Sequence, residues 1–254
     1  MLMLRFFPVA VCTFLFSFMA FSANAESLVI YGDDRYPPLI YLDNDQPAGI
    51  LPAIFARLTK DTGDSYELVL LPWKRALQYA ERGKGGITNI SRNKAREVLY
   101  DFSVPMYDDD IILVVLQGHE FDFNTLKDLQ DKKLGGLYGA SYGEGIDHAI
   151  SNGELLVERD NGQQPRLLKL LAGRIDVAII GNGVAGFEHI LASDPQLEAN
   201  RSKFLVLQNP LVHDPLHLAF SKTMHMQPAL ERFNKALTAL RETAEYQQLI
   251  GRKP

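Results

Sequence analysis

Short apolar runs alternate along the chain with stretches in which apolar residues recur at helical spacing. Leu28–Tyr31 is the first such run. Gly32-Asp-Asp-Arg-Tyr-Pro-Pro38 ends it, which predicts a buried strand and then a loop. Gly49 opens a helical pattern with Ile50, Ile54 and Leu58 on one face, and Thr62-Gly63-Asp64 stops it. Tyr66–Leu71 reads as a strand, Trp73–Arg82 as a helix ended by Gly83, and Gly86–Ile90 as a third strand. This succession is the grammar of a parallel sheet covered by helices, since each sheet face must be buried against another layer.

Asp110–Leu116 is the longest strand signal, and after it the pattern starts again. Strands are expected at Leu134–Tyr138, Leu155–Val157 and Ile175–Ile180. Helices are expected before Ser151-Asn-Gly153, over Arg166–Ala172 and from Val184 to Leu191. A return strand at Leu216–Phe220 and helices over Pro228–Arg241 and Thr243–Leu249 complete the chain. Two βαβαβ units joined by one long strand and a later return strand predict two α/β lobes with a cleft between them. In such sheets the binding crevice lies beyond the carboxyl ends of the strands. Tyr36, Ser91, Arg96, Ser141 and Gly181 all fall just past predicted strand ends.

The first residues change the picture of where the chain works. Arg5 precedes an apolar run from Phe6 to Phe21, and Ser22-Ala-Asn-Ala25 follows. A positive start, a short apolar core and an Ala-x-Ala site predict a secretory signal over 1–25, with an uncleaved anchor as the competing reading. The only cysteine, Cys12, lies inside that run. A chain processed after Ala25 has no cysteine, which excludes disulfides, Cys nucleophiles and thiolate metal sites. The net charge is −5 and no basic block is present, so nothing points to nucleic acid. An exported soluble protein of the periplasm is expected.

Candidate chemistry concentrates in Ser91–Tyr107. Arg96 lies just past a strand end with Thr88, Asn89 and Ser91 nearby. Its planar fork of donors suits a carboxylate. A solvated arginine in a loop is the competing reading of this stretch by itself. Trp73 reads as packing between helix and sheet, and Asp108-Asp-Asp110 as a solvated charge run. His213 and His217 have helical ligand spacing, but Pro215 and a predicted strand argue against a metal pair. No cofactor motif and no catalytic constellation is found.

Over nearly all of 26–254 the chain resembles the extracellular solute-binding proteins of family 3, periplasmic proteins that feed polar amino acids to ABC importers. The likeness is carried by Tyr36-Pro-Pro38, Gly49-Ile-Leu-Pro-Ala-Ile-Phe55, Pro72-Trp-Lys-Arg-Ala-Leu77, Ala95-Arg96 and Phe102-Ser-Val-Pro-Met-Tyr107. Further along it is carried by Leu126-Lys-Asp-Leu129, Gly139-Ala-Ser-Tyr142, Leu171-Ala-Gly-Arg-Ile-Asp-Val-Ala178 and Leu218-Ala-Phe-Ser-Lys222. The resemblance implies an α/β, two-lobed periplasmic binding protein type II fold, each lobe a mostly parallel sheet flanked by helices. Lobe 1 would take 26–111 plus 216–254, and lobe 2 would take 112–215. It implies a monomer that delivers a small carboxylated solute to an inner-membrane ABC permease.

By the same resemblance Arg96 holds the ligand carboxylate and Ser91 is a neighbouring donor. Tyr36 forms an aromatic wall with Asp33 beside it, and Ser141 donates from the second lobe. The chain also departs from the family. The carboxylate that usually meets the ligand ammonium falls at Gly181 or Asn182, neither charged, which leaves Asn182 as the polar ligand-binding candidate there; the usual Thr before the arginine is Asn93; and an Asp usual near Gly85-Gly86 is missing. A buried ammonium without a carboxylate is costly. Either the ligand is not a standard α-amino acid, or Asp33 or Asp109 meets the cation. A dehydratase of cyclic carboxylates on this scaffold, and a receptor for a membrane signalling partner, are the other readings.

Overall fold

The computed structural model describes residues 27–251. The expected signal over 1–25 lies outside the described residues. The chain enters with β1 (Ser27–Asp33) and then folds a small antiparallel sheet from β2 (Arg35–Tyr36), β3 (Ile40–Asp43) and β4 (Gln46–Ala48). The residue pattern predicts only a loop over 32–38. These strands are too short to alternate legibly, and Pro37, Pro38 and Pro47 interrupt them.

Helix α1 (Ile50–Thr62) buries Leu51, Ile54 and Leu58 completely, in one cluster with Leu28 and Ile30 of β1. Burying one such side chain stabilises by about 1.5–3 kcal/mol. Gly63 ends the helix at φ 75°, its N–H reaching the Thr59 carbonyl, a left-handed cap that glycine adopts without a Cβ clash. β5 (Ser65–Leu71), α2 (Trp73–Glu81) and β6 (Gly86–Ser91) follow. β1 lies between β5 and β6, parallel to both, as the repeated pattern requires. The stretch after Ser91 then holds a short helix, α3 (Lys94–Leu99), before β7 (Tyr100–Phe102).

The second unit is built alike. β8 (Tyr107–Leu116) leads to β9 (Lys133–Leu137), α4 (Glu144–Ser151), β10 (Leu156–Asp160), α5 (Gln163–Leu171), β11 (Val177–Ile180) and α6 (Gly183–Ser193). β9 lies between β10 and β11, parallel to both. α7 (Pro195–Ala199), β12 (Phe204–Val206), β13 (Val212–Ser221), α8 (Gln227–Arg241) and α9 (Ala244–Leu249) complete the described chain.

One feature of the sheet differs from the expectation of two separate sheets. The strands form a single mixed path, β10-β9-β11-β8-β13-β6-β1-β5, with β12 on β8 and β7 on β13. The cause is the length of β8 and β13, ten residues each. Each changes partners along its course. Tyr107–Ile111 of β8 pairs antiparallel with Val212–Leu216 of β13, while Ile112–Val114 of β8 pairs with β11. β13 passes from β8 to β6 and β7. Buried side chains nevertheless segregate. One cluster draws only on residues up to Met106 and from Leu216 onward. Two draw only on residues between Ile111 and Leu211. A fourth, around Trp73 and Ile87, takes in Leu137 from the second unit.

Candidate functional site

A cavity lies between these two sets of elements, on the side where β1, β6, β9 and β11 end. Its walls include Asp33, Tyr36, Trp73, Asn89, Ser91 and Arg96 from one set, and Ser141, Tyr142, Gln163, Arg166 and Gly181 from the other, with Asp214 from β13. Of the six residues singled out from sequence, Asp33, Tyr36, Ser91, Arg96 and Ser141 line it. Asn182 stands behind the wall, its carboxamide accepting from the Tyr107 hydroxyl at 3.0 Å.

Arg96 is not in a solvated loop. It sits in the first turn of α3, capped by Asn93, whose side chain accepts from the Arg96 N–H at 2.8 Å. This fixes the backbone from which the guanidinium projects. The side chain is 8% exposed. Nη1 donates to the Ser91 carbonyl at 2.8 Å and Nη2 to the Gly139 carbonyl at 3.1 Å. No ion pair to Arg96 occurs among the described residues. Burial pulls its pKa down, while Asp214 and Asp147 act to raise it. Asn93 also donates to the Ser141 hydroxyl at 2.9 Å, and Ser141 in turn donates to Asp147. The Thr-to-Asn departure thus supplies both a cap and a bond across the cavity.

Three carboxyl groups are held near neutrality by burial. Asp33 is pushed up to about 7 by desolvation, against the Arg35 N–H that bonds it at 3.0 Å. Asp109 also rises to about 7 by desolvation, although Tyr36 donates to it at 2.5 Å and the Asn182 N–H at 2.6 Å. Asp214 rises to about 6 for the same reason, against the Ser91 hydroxyl at 2.6 Å and the Arg96 charge. Asp109 corrects the expectation of a solvated acidic run. Side chains alternate along β8, so Asp108 and Asp110 face water while Asp109 is 1% exposed.

Sequence reasoning missed the second guanidinium. Arg166 is buried and donates from Nε and Nη2 to Asp160 at 3.1 and 2.7 Å, and from Nη1 to the Ile179 carbonyl. Gln163 accepts from the Gly181 N–H at 2.6 Å. Both open α5, and only the end of β10 brings that helix to the cavity; nothing local in the sequence marks them. Trp73, expected as packing, does pack in the core, yet it also lines the cavity. Three polar atoms on this wall have no hydrogen-bond partner among the described residues: Trp73 Nε1, Asn89 Oδ1 and Gln163 Nε2. Leaving such a buried group unpaired costs about 1–3 kcal/mol, so groups of this kind in a native wall call for a solute or water to meet them. Asn89 also holds a left-handed φ of 63°, a conformation that recurs at ligand sites.

Gly181 explains the missing carboxylate at that position. A Cβ built there would stand 1.5 Å from the Tyr36 hydroxyl oxygen and 2.4 Å from its ring Cζ. The ring of Tyr36 fills the space a side chain at 181 would need. The cavity that remains is about 50 Å³.

Comparison with known families decides the lineage. The description "bacterial extracellular solute-binding proteins, family 3" matches residues 28–252. The chain belongs to that family. Comparison with curated proteins finds no match. Among solved structures, this family 3 member is similar to a histidine kinase sensor domain described as resembling periplasmic binding proteins. The TM-score is 0.75 at 20% identity, over 90% of this chain and 98% of that one. An ancestral arginine-binding protein bound to arginine matches with a TM-score of 0.73 at 20% identity, over 89% and 96%. An arginine transport-system periplasmic binding protein from Legionella pneumophila matches with a TM-score of 0.73 at 15% identity, over 89% and 99%. At such identities the likeness is one of fold: a mixed α/β fold matching periplasmic binding proteins.

Proposed function

We propose that this family 3 member is a periplasmic receptor. It captures a small carboxylated solute, a polar amino acid or a derivative, and delivers it to the inner-membrane permease of an ABC importer. The observation that carries this reading is Arg96, a buried guanidinium on the cavity wall whose hydrogen bonds, among the described residues, go only to backbone carbonyls. A guanidinium has five N–H donors in a fixed fork, so Arg96 keeps donors for a ligand carboxylate. Ser91 and Ser141 stand beside it, and Trp73 Nε1, Asn89 Oδ1 and Gln163 Nε2 are further groups a polar solute would satisfy. The protein works as a monomer, without a cofactor and without catalysis.

Capture requires motion. A water molecule's share of liquid is about 30 Å³, and pockets for drug-sized ligands start at about 300 Å³. A cavity of about 50 Å³ admits an amino acid only if its walls separate. Lobe 1 would comprise 26–111 and 216–254, lobe 2 would comprise 112–215, and β8 and β13 would be the hinge. The segregated cores support that division, since each set can move as a packed unit. Closure removes water, which strengthens the Arg–carboxylate attraction, and a ligand that touches both walls shifts the population toward the closed state.

Thermal-shift measurement against the standard L-amino acids and small carboxylic acids tests this. A ligand at a hundred times its Kd should stabilise the protein by about 2.7 kcal/mol. Arg96→Ala should abolish the shift. An unchanged shift in that variant would rule the clamp out.

A second reading has one observation in its favour. Asp33, a cavity-wall carboxyl with a pKa of about 7, has the property of a general acid at neutral pH. An enzyme acting on a cyclic carboxylic acid would use it. Incubation with prephenate-like acids and product analysis decides between the two. Product that appears with the parent protein and not with Asp33→Asn would replace the receptor reading.

A further inference from the structure

A ligand that lays a carboxylate on Arg96 brings its other groups to fixed places. In an α-amino acid the nitrogen is one carbon from the carboxyl carbon, so it lies roughly 3 Å from the carboxylate oxygens. Whatever meets that nitrogen must therefore stand beside the Arg96–Ser91 clamp, not at the far end of the cavity.

Three buried carboxyl groups are near enough to consider, and their surroundings separate them. Asp109 has both oxygens taken, Oδ2 by the Tyr36 hydroxyl and Oδ1 by the Asn182 N–H, and it stands behind the wall. Asp33 lines the cavity, but it has no hydrogen bond to Ser91 among the described residues, its one hydrogen bond coming from the Arg35 N–H, and the cations that act on it are Arg166 and Arg35 rather than Arg96. Asp214 lines the cavity beside the clamp. Its Oδ2 accepts from the Ser91 hydroxyl at 2.6 Å, and Arg96 is the cation that acts on it. The same Ser91 supplies the carbonyl that holds Arg96 Nη1. No cation lies within ion-pair distance of Asp214 among the described residues, and its Oδ1 has no hydrogen bond there.

We infer that Asp214 is the carboxylate that pairs with a ligand ammonium next to the bound carboxylate, so that the site selects amino-carboxylates over the matching hydroxy acids. This rests on the reading of Arg96 as the carboxylate clamp. Position 181 cannot serve, because Tyr36 fills its side-chain space. β13 supplies the charge instead, from the strand that passes between the two sets of elements. The sign of the selectivity follows from electrostatics. A zwitterion brings one positive group to Asp214 as it brings one negative group to Arg96. A hydroxy acid brings only the negative group, beside an unpaired carboxylate that repels it. Burial raises the Asp214 pKa to about 6 when no ammonium is near, which is the response expected of an acid without its cation. Asp147, Asp109 and the Tyr36 hydroxyl are the other ionisable groups coupled to it.

The test compares Kd values by calorimetry at pH 7.5, a condition of choice at which Asp214 is ionised. The tightest-binding standard L-amino acid and its 2-hydroxy counterpart are titrated into the parent protein, Asp214→Asn and Arg96→Gln. The parent should prefer the amino acid at least about tenfold, and Asp214→Asn should shrink that preference to within about threefold. Arg96→Gln should weaken both compounds alike. An unchanged preference in Asp214→Asn overturns the assignment. Equal affinity of the parent for both compounds overturns it too, and then loss of both in Arg96→Gln leaves the clamp standing. If no amino acid binds the parent but a carboxylic acid does and weakens in Arg96→Gln, this inference falls and the clamp stands; if neither class binds, the receptor reading fails as well. Should Asp214→Asn not fold, Asp214→Glu keeps the charge but moves it by one methylene. It should change the preference by at least about threefold, and an unchanged ratio there overturns the assignment equally.

Discussion

Tyr36 and Gly181 show how one side chain can decide the chemistry of another position. The Tyr36 hydroxyl stands where a Cβ on Gly181 would go, and it is held there by a 2.5 Å bond to Asp109. Gly181→Ala should therefore destabilise the protein by about 1–3 kcal/mol, the range for overpacking a filled interior. Tyr36→Ala should cost less in the Gly181→Ala background than in the parent, because there it also removes the clash, and urea unfolding of the parent, both single variants and the double variant would measure that coupling. The buried acids make a second prediction. Asp33 and Asp109 ionise near 7 in the folded protein against 3.8 for the ordinary side chain. The folded state thus binds more protons than the unfolded state between those values. Stability from these groups is present at acid pH and is lost as pH rises from about 4 through about 7. The Tm of the ligand-free protein should fall over the upper part of that window. Asp33→Asn should flatten the fall, and a slope unaltered in that variant would show that Asp33 ionises normally.

Among the elements, α3 matters out of proportion to its length. It is six residues long and depends on its cap, because so short a helix has little stability of its own. Asn93 both caps Arg96 N–H and reaches Ser141 across the cavity. Asn93→Ala should cost about 1 kcal/mol of stability, the usual loss on removing a cap. It should also weaken the carboxylate ligand, since the turn that aims Arg96 would fray. A titration in which Asn93→Ala binds as tightly as the parent would mean that packing around Trp73, 6.0 Å from the guanidinium, aims Arg96 without the cap. On the opposite wall, α5 is tied to β10 by the Arg166–Asp160 pair. Asp160→Asn leaves a buried guanidinium uncompensated and should destabilise by about 3–5 kcal/mol.

At the scale of the whole molecule the question is how one continuous sheet could open. β8 and β13 hydrogen bond to each other over Tyr107–Ile111 and Val212–Leu216, and each then runs on into a different set of strands. A bend in this antiparallel ribbon would separate the two sets without breaking either packed core. The contacts that would break include the polar ones of Asn93 to Ser141, Arg96 to the Gly139 carbonyl and the exposed Lys94–Glu144 pair at 3.0 Å, and the apolar packing of Leu137 in the cluster around Trp73. Exposed pairs of that kind contribute little, up to about 1 kcal/mol. Small-angle scattering should show the radius of gyration contract when a stabilising amino acid is added. An unaltered scattering profile at saturation would argue against hinge closure.

The elements were legible in the residues wherever the determining forces are local. Apolar runs, helical spacing and stops such as Gly63 depend on neighbours in sequence, and they place most strands and helices within a few residues of where they lie. The two parallel triplets follow from the same order, β5-β1-β6 and β10-β9-β11. Arg96, Ser91, Tyr36 and Ser141 were within reach because each lies at or just past a strand end, and Asp33 came with them by the family resemblance. The strands over 35–48 and helix α3 were not, being too short for a period to register. Tertiary structure alone decided that Asp109 faces inward while its neighbours face water, that α5 brings Arg166 and Gln163 to the wall, and that Tyr36 stands over Gly181. It alone set Asp214 beside Ser91. Those pairs are far apart in sequence, and burial, repulsion and hydrogen bonding act through space.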